Sequence, residues 1–342
     1  AAPREWDAIR AARQLAVDWD ETDSGFVTDS ESLHDWIRHA DAVETAIEHD
    51  NGDVEAALVD AAKTITAEYE WPFQSHARMA PAAALADVRD GQITVWTDSQ
   101  KPWDTARGAE ALLGAPRATR RGTGKVYKAR AIWMPGPGSY GRSDAGDGAM
   151  DAVLLSEALG APVRVQWMRD EGHGWDPKGP ASVVTCRGAL DPSGEVRGYH
   201  FHIKGFSRHD QNSREDDPGE VLAGHLVGHV STPEWSMSSP ADSYVFPAKR
   251  YSWEALAPLR RQASPLRTAH FRDPYGPEVH FASESFIDEL AYAAGVDPVA
   301  FRLARVADER DAAVLRAAAE LSGWQARTVP RKRREADGRY VG

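Results

Sequence analysis

The sequence predicts a mixed α/β fold (α+β), and three observations carry that prediction. Residues 63–71 alternate strictly, Ile65, Ala67, Tyr69 and Trp71 against Thr64, Thr66, Glu68 and Glu70, which is the period of a half-exposed strand. The stretches 84–97 and 183–205 read as hairpins that turn at Arg89-Asp90-Gly91 and at Asp191-Pro192-Ser193-Gly194. Segments of helical length and spacing stand between and after them, at 103–113, at 144–159 and in three successive stretches from Ser283 to Leu321.

In chain order, Arg4 to Leu15 places Trp6, Ile9, Ala12 and Leu15 at helical spacing and runs into a strand-like Ala16-Val17-Asp18-Trp19. Polar Asp20 to Glu31 reads as loop. Short helices follow near Ser32 to His39 and near Asp53 to Ala62, the second opened by the turn and N-cap residues Asn51-Gly52-Asp53. After the strand from Lys63, Ala84–Val88 and Ile93–Thr97 form the first hairpin. The helix Trp103–Leu113 ends at Gly114 with Pro116 beyond it. A helix from Asp144 to Leu159 stops at Gly160-Ala161-Pro162 and leads into the strand Val163–Met168. Ser207 to Gln262, rich in Pro, Ser and Asp with weak periodicity, reads as long surface or cleft-lining loops, which are seldom idle. The closing helices are Ser283–Ala294 with Gly295 behind it, Pro298–Val306 with Asp297 as N-cap, and Asp308–Leu321.

Composition narrows the function classes. The 342 residues allow about two domains and a substantial core. The single cysteine, Cys186, excludes an intrachain disulfide, an iron–sulfur cluster held by this chain alone and a cysteine-rich zinc site. A net charge of −12 argues against nucleic acid as a partner. The one densely basic run, Arg331-Lys332-Arg333-Arg334, reads as a solvated loop. No stretch approaches the roughly 18 apolar residues of a membrane span, and nothing at the N-terminus reads as a signal peptide. The chain is expected to be soluble, in cytoplasm or periplasm alike. It opens on Ala1 within a helix-like stretch, which leaves an upstream segment open.

The most informative segment is Trp133-Met134-Pro135-Gly136-Pro137-Gly138-Ser139-Tyr140-Gly141-Arg142, a glycine-dense turn between a strand-like and a helix-like run. Glycines at 136, 138 and 141 allow close backbone approach and positive φ, and the following helix aims its positive end at the turn. An anionic cofactor is the first expectation, and a bare turn without ligand is the alternative. The same spelling satisfies G-x-G-x-x-G, yet a dinucleotide fingerprint fits poorly. Pro137 separates the first two glycines, 125–130 is too charged for a strand buried on both faces, and the acid expected about 20 residues on is absent. His225 and His229 stand four apart without the intervening glutamate of a zinc protease, and His200 and His202 share a strand face with no third ligand nearby. Both pairs read as ordinary loop and hairpin histidines. Neither a nucleophile elbow nor a P-loop occurs, so any chemistry must come from a cofactor.

Four blocks carry a family resemblance. They are Gly52-Asp53-Val54-Glu55-Ala56-Ala57-Leu58 through Ser75-His76-Ala77 to Trp96-Thr97-Asp98-Ser99-Gln100; the glycine turn with 163–171; His173-Gly174-Trp175-Asp176-Pro177-Lys178-Gly179-Pro180; and Phe281-Ala282-Ser283-Glu284-Ser285-Phe286-Ile287-Asp288-Glu289-Leu290-Ala291 with Asp297-Pro298 and Phe301-Arg302-Leu303. In order and spacing, nearly the whole chain resembles the molybdopterin-binding subunit of the xanthine oxidase and aldehyde oxidase family, on the isoquinoline 1-oxidoreductase and nicotinate dehydrogenase branch.

The resemblance implies a molybdenum-cofactor-binding domain, with molybdopterin, as its cytosine dinucleotide, at the glycine turn. The implied reaction inserts a water-derived oxygen into an electron-poor carbon of an N-heteroaromatic or aldehyde substrate, and electrons pass to 2Fe-2S clusters in a small iron–sulfur partner subunit. Residue by residue, it implies catalytic roles for Gln100, which hydrogen-bonds a molybdenum oxygen, and for Arg272. Gly136, Gly138, Ser139, Tyr140, Gly141, Arg142 and Arg267 are implied to bind cofactor, with Ser139 and Tyr140 departing from the commoner Gly-Phe. Surface ion pairing is the other reading of Arg267 and Arg272. The metal is held by the cofactor's dithiolene, so no protein metal ligand is expected. The expected division is an N-terminal connecting segment with helices at 1–62, a first cofactor-binding domain at 63–306 and the truncated start of a second at 307–342. The family's general base is a glutamate in that second domain. The chain is therefore expected to be incomplete, inactive alone and in need of a complementary chain or downstream segment.

Overall fold

The computed structural model describes residues 1–19, 26–27, 29–114, 126–142, 145–210, 215–230, 234–259, 266–273 and 276–341. Expectations for 20–25 and 28 in the first loop, Pro116, Lys125, Asp144 and the end of the long loop at 260–262 lie outside the described residues.

The strands are β1 (Ala42–Asn51), β2 (Lys63–Trp71), β3 (Gln74–Ser75), β4 (Ala83–Arg89), β5 (Gln92–Thr97), β6 (Lys128–Trp133), β7 (Val163–Gln166), β8 (Lys178–Gly179), β9 (Ser182–Leu190), β10 (Val196–Gly205), β11 (Ala248–Leu256), β12 (Arg333–Arg334) and β13 (Tyr340–Val341). The helices are α1 (Glu5–Arg13), α2 (Leu33–His39), α3 (Val54–Val59), α4 (Pro102–Gly114), α5 (Ala145–Leu159), α6 (Arg169–Trp175), α7 (Leu222–Leu226), α8 (Pro277–Ala293), α9 (Pro298–Leu303) and α10 (Glu309–Ser322). The fold is the mixed α/β type that the alternations and helical spacings predict.

Two sheets organise it. A five-stranded sheet runs β1-β11-β10-β9-β2, antiparallel throughout except for the parallel β10–β11 pair. Its inner face buries Val184, Cys186, Tyr199, Phe201 and Tyr251 against Phe286, Ile287 and Leu290 of α8. Gly188 is the close point of that contact, because a Cβ there would sit 2.5 Å from Leu290. A four-stranded sheet runs β6-β5-β4-β7, with β5 and β6 parallel, and packs Ala86, Val95 and Ile93 against Leu112 of α4 and Met150 and Val153 of α5. Its hairpin turns through Asp90 and Gly91, both at positive φ, as the pattern requires. A third cluster sets Leu33 and Ile37 of α2 against Phe206, Leu256 and Leu259, with the Trp36 and Phe206 rings stacked at 6.0 Å.

Several elements depart from the sequence reading. Ala16–Trp19 forms no strand, and Val17 and Trp19 are exposed. β1 has no counterpart in the pattern: it carries register shifts between Ala42 and Glu44 and between Ile47 and His49, and such bulges erase the alternation by which a strand is read. β11, within the stretch expected to be loop, lies between β1 and β10. Its alternation of Tyr251, Trp253 and Ala255 with Arg250, Ser252 and Glu254 is legible but short. α6 is a seven-residue helix where the motif block 169–175 carries no helical signal. α8 begins six residues early, at Pro277, because Gly276 at φ 83 presents a proline in the first helical turn.

Candidate functional site

The glycine turn leaves the end of β6, where the Met134 amide donates to the Thr97 carbonyl at 2.9 Å and ties the turn to the end of β5. The chain beyond β5 is Asp98-Ser99-Gln100, so the two segments singled out in the sequence sit side by side. Gln100 is exposed, and its Nε2 donates to the Gly141 carbonyl at 2.8 Å. A carbonyl only accepts, which fixes the amide orientation and leaves Oε1 and the second N–H on the open side. Arg272 joins from a strap of chain, 266–272: its amide donates to the Tyr140 carbonyl at 2.7 Å, and the Arg142 amide donates back to the His270 carbonyl at 3.2 Å. The Arg272 side chain is exposed. Gln100, Tyr140 and Arg272 therefore meet on one surface, over the buried Gly141.

The three glycines serve different ends. A Cβ at Gly141, at φ 130, would lie 2.3 Å from the His270 carbonyl oxygen, so this glycine admits the strap. A Cβ at Gly136 would meet the Asp98 side chain at 2.4 Å, so this one admits a carboxylate. At Gly138, φ 87, the nearest atoms belong to the Tyr140 ring at 3.2 Å, and the position is open. Tyr140 itself has φ 55, unusual for a residue with a Cβ and a mark of a constrained segment. Among the described residues, the amide N–H groups of Gly138, Ser139 and Tyr140 have no hydrogen-bond partner. A run of unpaired amides through positive-φ residues is the arrangement that receives an anion, and it fits an anionic pterin cofactor.

Behind this surface lies a layer of buried charge. Arg78 donates its Nε to the Gly138 carbonyl at 3.0 Å and pairs with Asp98, whose Oδ1 has no partner among the described residues. Arg142 is enclosed, with its Nη1 3.7 Å from Glu215. Glu215 also accepts the hydroxyls of Ser99 at 2.8 Å and Thr105 at 2.9 Å. Burial pushes its carboxyl above the ordinary range, while Arg142 and the two hydroxyls pull it back. Arg267 is likewise enclosed, each terminal nitrogen 3.0 Å from an Asp147 oxygen and Nη2 also on the Trp175 carbonyl. His76 clamps the strap from below, with Nδ1 on the Pro177 carbonyl at 2.8 Å and Nε2 on the His270 carbonyl at 2.9 Å.

Two sequence expectations change here. Arg142 and Arg267 do not reach the open surface, because each side chain is only 1% exposed and its guanidinium is turned onto a protein carboxylate. The first turn of α5 carries Asp147, and beside it stands the Glu215 carboxylate, whose Cδ lies 2.8 Å from where a Gly146 Cβ would be. That helix end therefore faces a protein group. Sequence reasoning missed Arg78, Asp98, His76 and Glu215 as parts of this framework. Glu215 left a trace, the helical glycines Gly108 and Gly146, which make room for it. Elsewhere, His225 turns onto the Gly219 carbonyl, and His200 and His202 share the Ser252 hydroxyl. Among the described residues no group of three or more His, Cys, Asp or Glu is placed to hold a metal ion, and no helix is long and apolar enough to cross a membrane.

The chain resembles known proteins in sequence and in fold. Residues 38–207 match the molybdopterin cofactor-binding domain family. The chain is 36% identical over 330 residues to a nicotinate dehydrogenase subunit of Pseudomonas putida, an alignment that covers 96% of this chain and 26% of that protein. It is 26% identical over 348 residues to the beta subunit of isoquinoline 1-oxidoreductase of Brevundimonas diminuta, covering 95% and 40%. Among solved structures, quinoline 2-oxidoreductase of Pseudomonas putida 86 superposes with a TM-score of 0.65 at 17% identity, covering 94% of this chain and 40% of that one. Aldehyde oxidoreductase of Desulfovibrio gigas gives 0.61 at 17%, covering 90% and 31%. These two establish a shared fold. The chain spans 26% and 40% of the lengths of the two sequence relatives. With its domain match and its relatives, the chain belongs to the xanthine oxidase family of molybdenum-binding subunits.

Proposed function

We propose that this chain forms one half of the cofactor cleft of a molybdenum hydroxylase that inserts a water-derived oxygen into an electron-poor carbon of an N-heteroaromatic or aldehyde substrate. The observation that carries the reading is the meeting of Gln100, the amides of 138–140, which have no partner among the described residues, and Arg272 on one surface. When bound, a molybdopterin, as its cytosine dinucleotide, supplies the oxygen transfer and accepts two electrons, which leave for 2Fe-2S clusters in a small partner subunit. The chain's own residues bind and orient. The Gly138–Tyr140 amides would offer donors to the anionic pterin, the second N–H of Gln100 would offer a further donor to the bound group, and Arg272 would offer a solvent-exposed positive charge. Arg142 and Arg267 act from beneath, holding the turn and the strap in place.

In this reading the first cofactor-binding domain begins at β1 rather than at residue 63, since β1 pairs with β11, and residues 307–342 open a second. That second domain, from a downstream segment or a complementary chain, brings the general base and covers the exposed Met79, Trp103, Trp133 and Met134 that flank the site. The test is a molybdenum and pterin assay of the chain alone and of the chain with its complement, followed by Gln100→Ala. Stoichiometric molybdenum in the complemented protein, with hydroxylation reduced at least ~100-fold by Gln100→Ala, is the expected result. A complemented protein without molybdenum would mark the chain as a silent scaffold, and full activity in Gln100→Ala would remove the site assignment.

A further inference from the structure

We infer that Glu215, resting on the cofactor reading above, is a positioning residue: its buried carboxylate sets Gln100 and the glycine turn in register with each other and ties both to the long 207–247 connection. It touches three separate elements at once. Ser99, adjacent to Gln100, and Thr105, in the first turn of α4, donate their hydroxyls to Oε2, and Arg142, at the exit of the turn, faces Oε1. Gln100 and Gly141 are bonded to each other directly, so Glu215 closes a ring that runs Gln100, Ser99, Glu215, Arg142, Gly141 and back to Gln100.

The surroundings are shaped for this one group. A Cβ at Gly108 in α4 would stand 2.2 Å from the Glu215 carbonyl oxygen, and a Cβ at Gly146 in α5 would stand 2.8 Å from its carboxyl carbon. Glycine weakens a helix, and two helices that both accept it where one glutamate enters indicate a site built around that residue. Glu215 itself holds φ 67, a backbone state that side chains seldom adopt. The first turn of α5 adds its partial positive charge on the side of the carboxylate. Removing the charge takes a buried carboxylate away from the enclosed Arg142 guanidinium, and the rearrangement falls on the two segments that form the open surface.

Hydrogen–deuterium exchange of the chain without cofactor tests this directly, using Glu215→Gln and, as a milder pair, Ser99→Ala and Thr105→Val, with circular dichroism as the folding control. The expected result is exchange at least ~10-fold faster at the hydrogen-bonded amides of the two segments, Ser99 in 97–101 and Arg142 in 136–142, with the β9–β10 hairpin unchanged. Should Glu215→Gln not fold, the same paired response in the milder variants supports the inference. Acceleration confined to 215–227, or its absence from either of the two segments, overturns it. In the complemented holoenzyme, Glu215→Gln is expected to shift the molybdenum electron paramagnetic resonance spectrum and to add no further loss of activity to Gln100→Ala. A wild-type protein without molybdenum would defeat the cofactor reading alone, since the exchange result is independent of it.

Discussion

At the scale of single residues, the three glycines of one turn separate into different jobs once their neighbours are known. Gly141 meets main chain at 2.3 Å, whereas Gly138 meets only the movable Tyr140 ring at 3.2 Å. Both hold positive φ, so Gly→Ala strains the backbone in each, but only Gly141→Ala also displaces the strap. We expect Gly141→Ala to cost about 3 kcal/mol and Gly138→Ala about 1 kcal/mol, from strain and overpacking together. Urea midpoints check the order, and equal values would place the strap elsewhere. Glu278, buried in the first turn of α8, has its carboxyl pushed up to about 7 by burial and by nearby Asp273, against the pull of its own amide and Arg208. The folded state thus keeps a proton between about pH 4.5 and 7 that the unfolded chain has lost, and stability falls as pH rises through that window. Glu278→Gln, which never ionises, should match wild type below about pH 4.5 and gain relative to it by up to roughly 3 kcal/mol above pH 7. A difference that does not vary with pH would contradict the assignment. The glycines were visible in the sequence because their spacing is local, and Gln100 entered through the family resemblance. The sequence could not display Glu215, nor the part that His76 plays, because their partners lie far along the chain.

At the scale of elements, the longer helices and tight hairpins were legible, whereas α6 and β1 were not and β11 showed only a short alternation within an expected loop. A helix announces itself through neighbours in sequence and a cap, as Asp297 does. A strand such as β11 is specified by partners at residues 42–51 and 198–205, and β1 hides its period behind two bulges. Asp297 does more than its N-cap pattern foretold. One oxygen takes the Val299 and Ala300 amides at 3.0 Å each, and the other takes Trp324 Nε1 and the Arg327 amide at 2.9 Å each. The cap of α9 is therefore also the mooring of the chain beyond α10. Asp297→Ala should cost about 2 kcal/mol or more, the sum of a lost cap and lost charged hydrogen bonds. It should also speed trypsin cleavage at Arg327, whose amide Asp297 holds. Unchanged cleavage there with a lowered melting temperature would mean that the cap acts and the mooring does not.

At the scale of the whole molecule, the two sheets have separate cores, and the strap at 266–272 crosses between them. Lys178 of β8 donates to the Arg267 carbonyl and accepts from Ala269, Thr268 donates its hydroxyl to the Ser207 carbonyl beyond β10, and Phe271 bridges to Gly141 of the turn. Arg267 fastens the strap to α5 through Asp147, with both side chains essentially inaccessible to water. Asp147 also takes the Leu222 amide at 2.9 Å, which brings the long loop to the same point. A pair this buried is worth little against a well-packed apolar substitute but is costly to break from one side, because the remaining charge has nowhere to go. Arg267→Leu alone should therefore cost about 3–5 kcal/mol, and Asp147→Asn/Arg267→Leu, which keeps an acceptor for Leu222, should recover most of that loss. Denaturant unfolding of the two single variants and the double variant measures the coupling. If the double variant is less stable than Arg267→Leu, the strap is held by its main-chain bonds to β8, and the ion pair is incidental to how the two cores are joined.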